Sequence, residues 1–266
     1  MAKISVIMGI YNARSKPILE KSLKSILNQT YKNFELIICD DGSTNGCMQW
    51  AKDICDGDNR VKFIKNDKNM GLAYTLNHCL KEAKGEFVAR MDDDDESDLS
   101  RFQKQIDILE KNENIDLVGS NMNLIDENSN IWGTKKYPEN VTKYDFLFNS
   151  PIGHPTIMAT REAYDKVNGY RAIPRTLRVE DYDCFMRMFY VGVKMYNIQE
   201  NIFNYREDLY NFKKRKYKYR VNEAWVRLHG FKKLGLLKNP INYLYVIKPL
   251  IVGLIPRKLI NKKGRY

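Results

Sequence analysis

The feature that most constrains the fold is a regular alternation, in the first half of the chain, between short apolar runs and amphipathic segments. Residues 4–8 and 34–38 are apolar runs of strand length, whereas residues 17–29 carry apolar side chains at helical spacing. Further strands are predicted at residues 61–64 and 86–91, and further helices at residues 72–83 and 99–109. This alternation predicts an α/β fold with a mostly parallel sheet and helices on both faces.

The second half of the chain is less regular. It predicts a strand and turn at residues 121–132, a strand at 154–158 and a helix at 182–190, and Asp98 is the predicted N-cap of the helix at 99–109. The 266 residues suffice for one large α/β domain, and no apolar run approaches the ~20 residues of a membrane-spanning helix. The N-terminal run is interpreted as the first strand rather than a signal peptide. Five cysteines without a C-x-x-C pair argue against a disulfide framework or zinc site and favour a reducing cytoplasm.

Polar side chains follow three of the predicted strands, at the point where each strand ends. The carboxyl ends of strands in an open α/β sheet line the crevice in which such folds bind ligands. We therefore expect the three clusters to converge on one site. They are Gly9, Tyr11 and Asn12 after the first strand, Asp40 and Asp41 after the second, and the four aspartates at 92–95 after the fourth.

The four aspartates at residues 92–95 allow two interpretations. A run of acids can simply be a solvated loop. However, this run ends a buried strand, where crowded carboxylates raise one another's pKa or require a cation. Alternate carboxylates such as Asp92 and Asp94 offer the hard oxygen ligands of Mg²⁺ or Mn²⁺. Neither a G-x-x-x-x-G-K-[ST] loop nor a G-x-G-x-x-G motif is present, which excludes phosphate binding by those glycine-rich loops.

Three further positions each allow a structural and a functional interpretation. Asp41 belongs to a turn-forming sequence, but its carboxylate could also accept hydrogen bonds from a base or a ribose. Glu180 and Asp181 precede a predicted helix, where an acid either compensates the helix dipole or serves as a general base. His154 lies in a turn-rich segment and is either structural or part of an acceptor pocket.

The positive charge of the chain is concentrated at its C-terminal end. The net charge is +11, yet the segment from Arg206 to the end carries 17 Lys and Arg against 3 acids, which leaves the preceding body slightly acidic. Residues 213–220 include six basic residues, and residues 243–255 are apolar apart from Lys248 and Pro249. This pattern fits a segment at an anionic membrane surface, a C-terminal helix packed on the body, or a nucleic-acid contact.

An ordered series of segments resembles the family 2 glycosyltransferases with the GT-A fold, in particular bacterial enzymes that build capsular, lipopolysaccharide or exopolysaccharide chains. The resemblance spans roughly residues 3–206. Its segments are residues 5–12, 22–31, 34–44, 69–72 with 76–77, 89–95, 154–156 and 179–183. Two positions depart from the family pattern, since Gly9 stands where Pro or Thr is usual and Asp93 where a small residue is common.

The resemblance implies a role for each candidate residue. Tyr11 and Asp41 would hold the nucleotide base, with Asp41 reading uracil, and Asp92 would contact the ribose or the metal. Asp94 would coordinate Mn²⁺ or Mg²⁺ on the donor diphosphate, and Asp181 would be the catalytic base of an inverting displacement. The remaining candidates are Gly9, Asn12 and Asp93 at the nucleotide, and Glu180 and His154 as acceptor contacts or supports.

The expected protein is a metal-dependent hexosyl- or N-acetylhexosaminyl-transferase. It would use a UDP-sugar and a saccharide acceptor linked to polyprenyl diphosphate, and it would bind no nucleic acid. Residues 1–206 would form the GT-A catalytic domain, and residues 207–266 a basic, amphipathic extension on the inner face of the cytoplasmic membrane. The alternatives are a sugar-nucleotide pyrophosphorylase, which would need a glycine-rich loop after the first strand, and a non-catalytic glycan- or nucleic-acid-binding protein on the same fold.

Overall fold

Four parallel strands form the first half of the central sheet. The computed structural model describes residues 2–207 and 216–255. Its first strands lie in the spatial order β3-β2-β1-β4, and they confirm the four strands predicted from the apolar runs. They are β1 (Ile4–Ile10), β2 (Phe34–Asp40), β3 (Val61–Lys65) and β4 (Phe87–Met91).

The second half of the chain extends the same sheet with strands that pair mostly in the antiparallel sense. The spatial order continues from β4 through β8, β6 and β9 to β5, with β7 paired to β6. The pair β6 and β9 is parallel, whereas β8 runs antiparallel to both β4 and β6. The predicted α/β class is confirmed, and its sheet is mixed. These strands are β5 (Glu96–Ser97), β6 (Leu117–Ile125), β7 (Ile131–Lys135), β8 (Met158–Thr160) and β9 (Met195–Arg206).

Helices cover both faces of the sheet, as predicted. Because successive side chains of a strand point to opposite faces, Ile7 of β1 joins a core with Leu76, whereas its neighbour Val6 joins a second core with Leu19 and Phe102. The helices are α1 (Lys16–Leu27), α2 (Cys47–Ile54), α3 (Leu72–Glu82), α4 (Arg101–Lys111), α5 (Arg161–Asp165), α6 (Glu180–Tyr190), α7 (Tyr217–Lys233) and α8 (Tyr243–Leu254).

Two local predictions are wrong in detail, and two elements were not predicted. Residues 154–158 do not form a strand: His154–Thr156 is a 3₁₀ turn, in which Pro155 has no N–H to donate to a ladder, and β8 begins at Met158. Asp98 is not the N-cap of α4, because that helix begins at Arg101. The Asp98 carboxylate accepts instead from the N–H of Ser100 at 2.8 Å. Both α2 and β9 are absent from the prediction.

The C-terminal helices pack on the body through a buried arginine of α7. The Arg227 side chain donates to the carbonyl oxygens of Leu147 at 2.8 Å, Phe148 at 3.2 Å and Tyr245 at 3.4 Å. It also pairs with Glu223 of α7. Arg227 therefore connects the body to both α7 and α8. The basic residues predicted at 213–215 and after Ile255 lie outside the described residues.

Replacement of this arginine should destabilise the fold. Arg227→Leu leaves three carbonyl groups without their donor, and we expect a loss of about 3–5 kcal/mol in the free energy of unfolding, measured in urea. The matched control is Arg220→Leu on the same helix, because Arg220 pairs with the same Glu223 but its side chain is 27% exposed against 3% for Arg227. The control should lose less than about 1 kcal/mol. Equal losses in the two variants would contradict this account.

Candidate active site

The strand register brings the predicted polar clusters to one edge of the sheet. β1 lies between β2 and β4, with Ile10 beside Asp40 and Met8 beside Met91. The chain therefore leaves the three strands at neighbouring points, and the segments that begin with Tyr11, Asp41 and Asp92 emerge side by side. The sheet topology thus places the three clusters side by side, and a shared crevice remains a prediction.

Asn12 fastens the segment after β1 to the segment after β2. Its backbone has a positive φ of 49°. Its N–H donates to the Ser43 hydroxyl at 3.0 Å, and its side-chain oxygen accepts from the N–H of Thr44 at 2.9 Å. The ring of Tyr11 does not take part in this packing and is half exposed. An aromatic face thus lies open on a rigid turn at the end of β1.

Gly9 has a packing role. A Cβ atom at this position would lie 3.0 Å from the methyl group of Thr75 and 3.6 Å from Leu72, both on α3. The glycine therefore lets the first turns of α3 approach β1 closely. Any side chain at position 9 would point towards α3. The Pro or Thr that is usual in the family would therefore crowd this helix.

Asp41 is almost fully buried and shapes the loop that leads into α3. Its Oδ1 accepts from the side chain of Asn66 at 2.8 Å and from the N–H of Met70 at 2.7 Å, and its Oδ2 accepts from the N–H of Gly71 at 2.9 Å. Asn66 is oriented in turn by a 2.8 Å hydrogen bond to the His78 ring. The Asp41 carboxylate is therefore fixed at the carboxyl end of β2.

Asp92 is paired with an arginine that the sequence analysis missed. Arg90 of β4 is buried and approaches the carboxylate with both terminal nitrogens: Nη1 donates to Oδ2 at 2.6 Å, and Nη2 donates to Oδ1. Each carboxylate oxygen keeps a further lone pair that can accept from a ligand. The sequence does contain a local indication of this pair, because Arg90 lies on β4 and Asp92 follows two residues later, a spacing that puts two side chains on one side of an extended segment.

A second buried arginine, Arg206 at the end of β9, holds the rest of the acidic run. The backbone N–H of Arg206 donates to the Asp95 carboxylate at 2.7 Å. Its side chain donates from Nε to the carbonyl oxygen of Asp94 at 2.7 Å and from Nη2 to the Glu96 carboxylate at 2.6 Å. More than 100 residues separate it from these partners, so no local pattern could reveal the contact. Sequence reasoning also assigned no role to Asp95, whose side chain is fully buried.

The carboxylates of the acidic run are largely buried and repel one another. Burial, together with the neighbouring carboxylates, raises the pKa of Asp93 to about 8 and the pKa of Asp94 to about 6. The same causes raise the pKa of Asp95 well above its usual range. A bound cation would relieve this repulsion, because it favours the ionised form of every nearby carboxylate.

The Asp94 carboxylate is more available to a divalent cation than those of Asp92 and Asp95. Within the described residues no other side chain hydrogen-bonds to it, whereas Asp92 is paired with Arg90 and Asp95 accepts from Arg206. Across residues 2–207 and 216–255, no group of three or more His, Cys, Asp or Glu side chains could hold a metal ion. A cation at Asp94 would therefore take most of its ligands from a bound diphosphate and water.

A cavity of about 420 Å³ connects the acidic run with the start of α6. Its lining includes Asp92, Arg178 and Asp181. The cavity is also lined by Asn149 and His154. The structure thus brings two predicted site carboxylates, Asp92 and Asp181, to one space large enough for a sugar residue.

Glu180 points elsewhere. It is buried, and among the described residues its Oε2 atom has no hydrogen-bond partner. Burial and the adjacent Asp181 raise its pKa. It lines a separate cavity of about 290 Å³, formed by the start of α3 and the residues before α6, among them Leu72 and Ile173. Adjacent carboxylates therefore face different spaces, which distinguishes their chemistry.

His154 lines the 420 Å³ cavity from a buried position. Its Nε2 shares a 2.8 Å hydrogen bond with the Tyr170 hydroxyl, and its ring packs edge-on against Phe185. Burial and the charge of Arg90 lower its pKa well below the usual range. His154 is therefore neutral at physiological pH and orients Tyr170 as well as lining the cavity.

Comparison with known sequences gives a consistent picture. The sequence model of the family described as Glycosyl transferase family 2 matches residues 5–191. The putative glycosyltransferase EpsE of Bacillus subtilis is 40% identical over 262 residues, which are 98% of this chain and 92% of that protein. The UDP-Glc:alpha-D-GlcNAc-diphosphoundecaprenol beta-1,3-glucosyltransferase WfgD of Escherichia coli is 35% identical over 59% of this chain and 60% of its own.

Solved structures share the fold at low sequence identity. TarS 1–349 of S. aureus in complex with UDP superposes with a TM-score of 0.72 at 16% identity, over 98% of this chain and 77% of that one. The mannosyltransferase PcManGT of Pyrobaculum calidifontis, in complex with GDP-Man and Mn²⁺, superposes with a TM-score of 0.63 at 15% identity, over 99% of this chain and 76% of that one.

The burial of a neutral histidine predicts a pH dependence of stability. Because the folded pKa of His154 is lowered, the unfolded chain takes up a proton below about pH 6.5 that the folded chain does not, so stability falls with falling pH. When the pH is lowered from 7.5 to 5.5, the free energy of unfolding should fall by about 1.4 kcal/mol more in the wild type than in His154→Gln. The control His229→Gln replaces an exposed histidine and should follow the wild type. An unchanged pH dependence in His154→Gln would contradict the assignment.

Proposed function

We propose a specific reaction for this chain, which belongs to glycosyl transferase family 2. The reaction is the transfer of a sugar from a UDP-sugar to a hydroxyl group of a glycan acceptor, with inversion at the anomeric carbon. The observation that carries the proposal is the single cavity that holds Asp92 and Asp181 beside the convergent ends of β1, β2 and β4. The chain is a glycosyltransferase with relatives in polysaccharide and O-antigen synthesis. Its donor, acceptor and site residues are what we propose here.

The nucleotide would lie across the ends of β1 and β2. The exposed ring of Tyr11 can stack on the base, and the fixed Asp41 carboxylate keeps a lone pair on Oδ2 that can accept from the uracil N–H. Asp92 would accept from a ribose hydroxyl while Arg90 holds it in place. Gly9, Asn12 and Asp93 complete the nucleotide site. TarS has been solved with UDP, and the name of WfgD specifies UDP-Glc as its donor.

Asp94 would hold a divalent cation, Mn²⁺ or Mg²⁺, at the donor diphosphate. When bound, the cation neutralises the negative charge that develops on the leaving UDP. The open carboxylate of Asp94, its raised pKa and the surrounding acids support this assignment. PcManGT has been solved with Mn²⁺, which supports a cation in this fold. Arg206 would keep the Asp94 backbone in place by its hydrogen bond to the carbonyl oxygen.

Asp181 would act as the general base. It lines the same cavity as Asp92, from the N-terminus of α6, and a sugar and an acceptor hydroxyl could both be held there. The base takes the hydroxyl proton while the oxygen forms its bond to the anomeric carbon and the bond to UDP breaks on the opposite face. His154 would support the acceptor side of the cavity, and Glu180 would support the adjacent wall.

The acceptor we propose is a saccharide linked to polyprenyl diphosphate at the inner face of the cytoplasmic membrane. The name of WfgD specifies a GlcNAc-diphosphoundecaprenol acceptor. Residues 1–206 would form the catalytic domain, and residues 207–266 would contribute a basic amphipathic extension that binds the membrane surface. None of the described helices is both long enough and apolar enough to cross a membrane.

Removal of the proposed base should affect turnover and not donor binding. Asp181→Asn keeps the side-chain size and removes the proton acceptor, so kcat should fall by about 10²–10⁴-fold while the KM for the UDP-sugar changes little. Glu180→Gln is the matched control, because it is the adjacent acid but lines a different cavity, and it should reduce kcat much less. A greater loss for Glu180→Gln would show that the wrong carboxylate has been assigned. A drop in melting temperature with unchanged kcat in Asp181→Asn would indicate a helix-capping role.

Loss of the proposed metal ligand should reproduce the effect of chelation. EDTA should abolish transfer, and Asp94→Asn should lower kcat at least about 100-fold and raise the Mn²⁺ concentration required for half-maximal activity. Asp98→Asn serves as the control, because Asp98 belongs to the same acidic stretch but its carboxylate accepts from Ser100. The measurement is turnover against Mn²⁺ concentration for each variant. Full activity in EDTA would refute the metal assignment.

A further inference from the structure

The outward face of α8 is a continuous apolar stripe. Leu244, Ile247, Ile251 and Leu254 recur at intervals of three and four residues, so they lie on one side of the helix. Their side chains are 59%, 41%, 54% and 69% exposed. The opposite side of α8 is occupied, because Val246, Pro249 and Gly253 are its buried residues. We call the four exposed residues the α8 face.

Neighbouring apolar residues enlarge the α8 face. Ile241 lies just before α8, and Tyr243 is the first residue of the helix; both side chains are exposed. Phe148 is also exposed, and its ring packs edge-on against Tyr245 of α8 with 5.5 Å between ring centroids. Soluble monomers rarely expose contiguous apolar patches of this kind unless the patch binds a partner.

The charge around the α8 face indicates the chemistry of that partner. Lys248 lies on α8 itself, and Arg220 of α7 lies beside Gly253 of α8. The sequence after Ile255 contributes five further Lys and Arg residues and no acid. Apolar side chains bordered by basic residues and tyrosines suit the interface of an anionic lipid bilayer, where the apolar stripe enters the acyl region and the cations stay among the headgroups.

The α8 face is connected directly to the catalytic cavity. Phe148 is followed in the chain by Asn149 and Ser150, which line the same cavity as Asp181. Arg227 donates to the carbonyl oxygens of both Phe148 and Tyr245, so the cavity wall and α8 are held together by one buried side chain. A surface that binds α8 therefore lies close to the side of the cavity formed by residues 149 and 150.

We infer that the α8 face, with Ile241, Tyr243 and Phe148, docks in the plane of an anionic lipid bilayer and presents the catalytic cavity to an acceptor anchored in that bilayer. The docking step depends only on the exposed apolar face and the basic charge beside it. The delivery of a lipid-linked acceptor rests on the proposed function. The two parts can therefore be tested separately.

The experiment is co-sedimentation of the full chain with phosphatidylcholine vesicles, with and without phosphatidylglycerol. Wild type should bind the vesicles that contain phosphatidylglycerol and release them as salt increases. In the double variant Ile247→Asn/Ile251→Asn, each removed isoleucine should lower the partition coefficient by about tenfold. The matched control, Leu99→Asn/Ile131→Asn, removes two exposed apolar residues from other elements and should bind as wild type does.

Three results would overturn the docking proposal. They are equal binding of the wild type and the α8 variant, absence of wild-type binding to either vesicle, and a wild-type dimer in solution that the α8 variant dissociates without any vesicle binding. Because the substituted side chains are exposed, unfolding curves should show that both variants stay folded. If the α8 variant loses vesicle binding but wild type transfers no sugar to a lipid-linked acceptor, docking is supported and the proposed function is the part that fails.

Discussion

The structure depends on the concentration of negative charge at the carboxyl ends of the central strands. Four consecutive aspartates end β4 in a partly buried position, where the mutual repulsion of carboxylates is strong and solvent screens it poorly. Two buried arginines make this arrangement possible. Arg90 pairs with Asp92 from within the strand, and Arg206 holds Asp95 and the Asp94 backbone from the end of β9. The raised pKa values of Asp93 and Asp94 show that their ionised forms are the least stabilised, and a bound cation would favour those forms.

The same two arginines explain features elsewhere in the fold. β9 is the longest strand of the described structure, and its last residue is Arg206, so its length brings that side chain to the acidic run. Arg90 contributes to the lowered pKa of His154, which keeps that ring neutral in the catalytic cavity. The segment after β4 is held to the end of β9 by the hydrogen bonds of Arg206 and by its ion pair with Glu96. Since a buried arginine stripped of its partner is costly, the acidic run and the sheet stabilise each other.

The first half of the fold could be predicted from the sequence because its signals are local. Each of the four parallel strands is a short apolar run, and α1 follows from the spacing of Leu19, Leu23 and Ile26. Residues 154–158 were predicted wrongly as a strand, since Pro155 changes the backbone where the apolar pattern continues. The roles of Arg206 and Arg227 could not be predicted, because their partners lie far away in the chain. The different orientations of Glu180 and Asp181 likewise require the three-dimensional packing of α6.

If the acidic run binds a nucleoside diphosphate through a shared cation, the binding of UDP must depend on the metal. Calorimetric titration of UDP into the purified chain tests it most directly, because binding is measured without any acceptor and without turnover. Our account predicts that UDP binds in the presence of Mn²⁺ and that its affinity falls at least about tenfold when EDTA replaces the metal. UDP that binds equally well in EDTA, or no binding of UDP in Mn²⁺, would contradict the account.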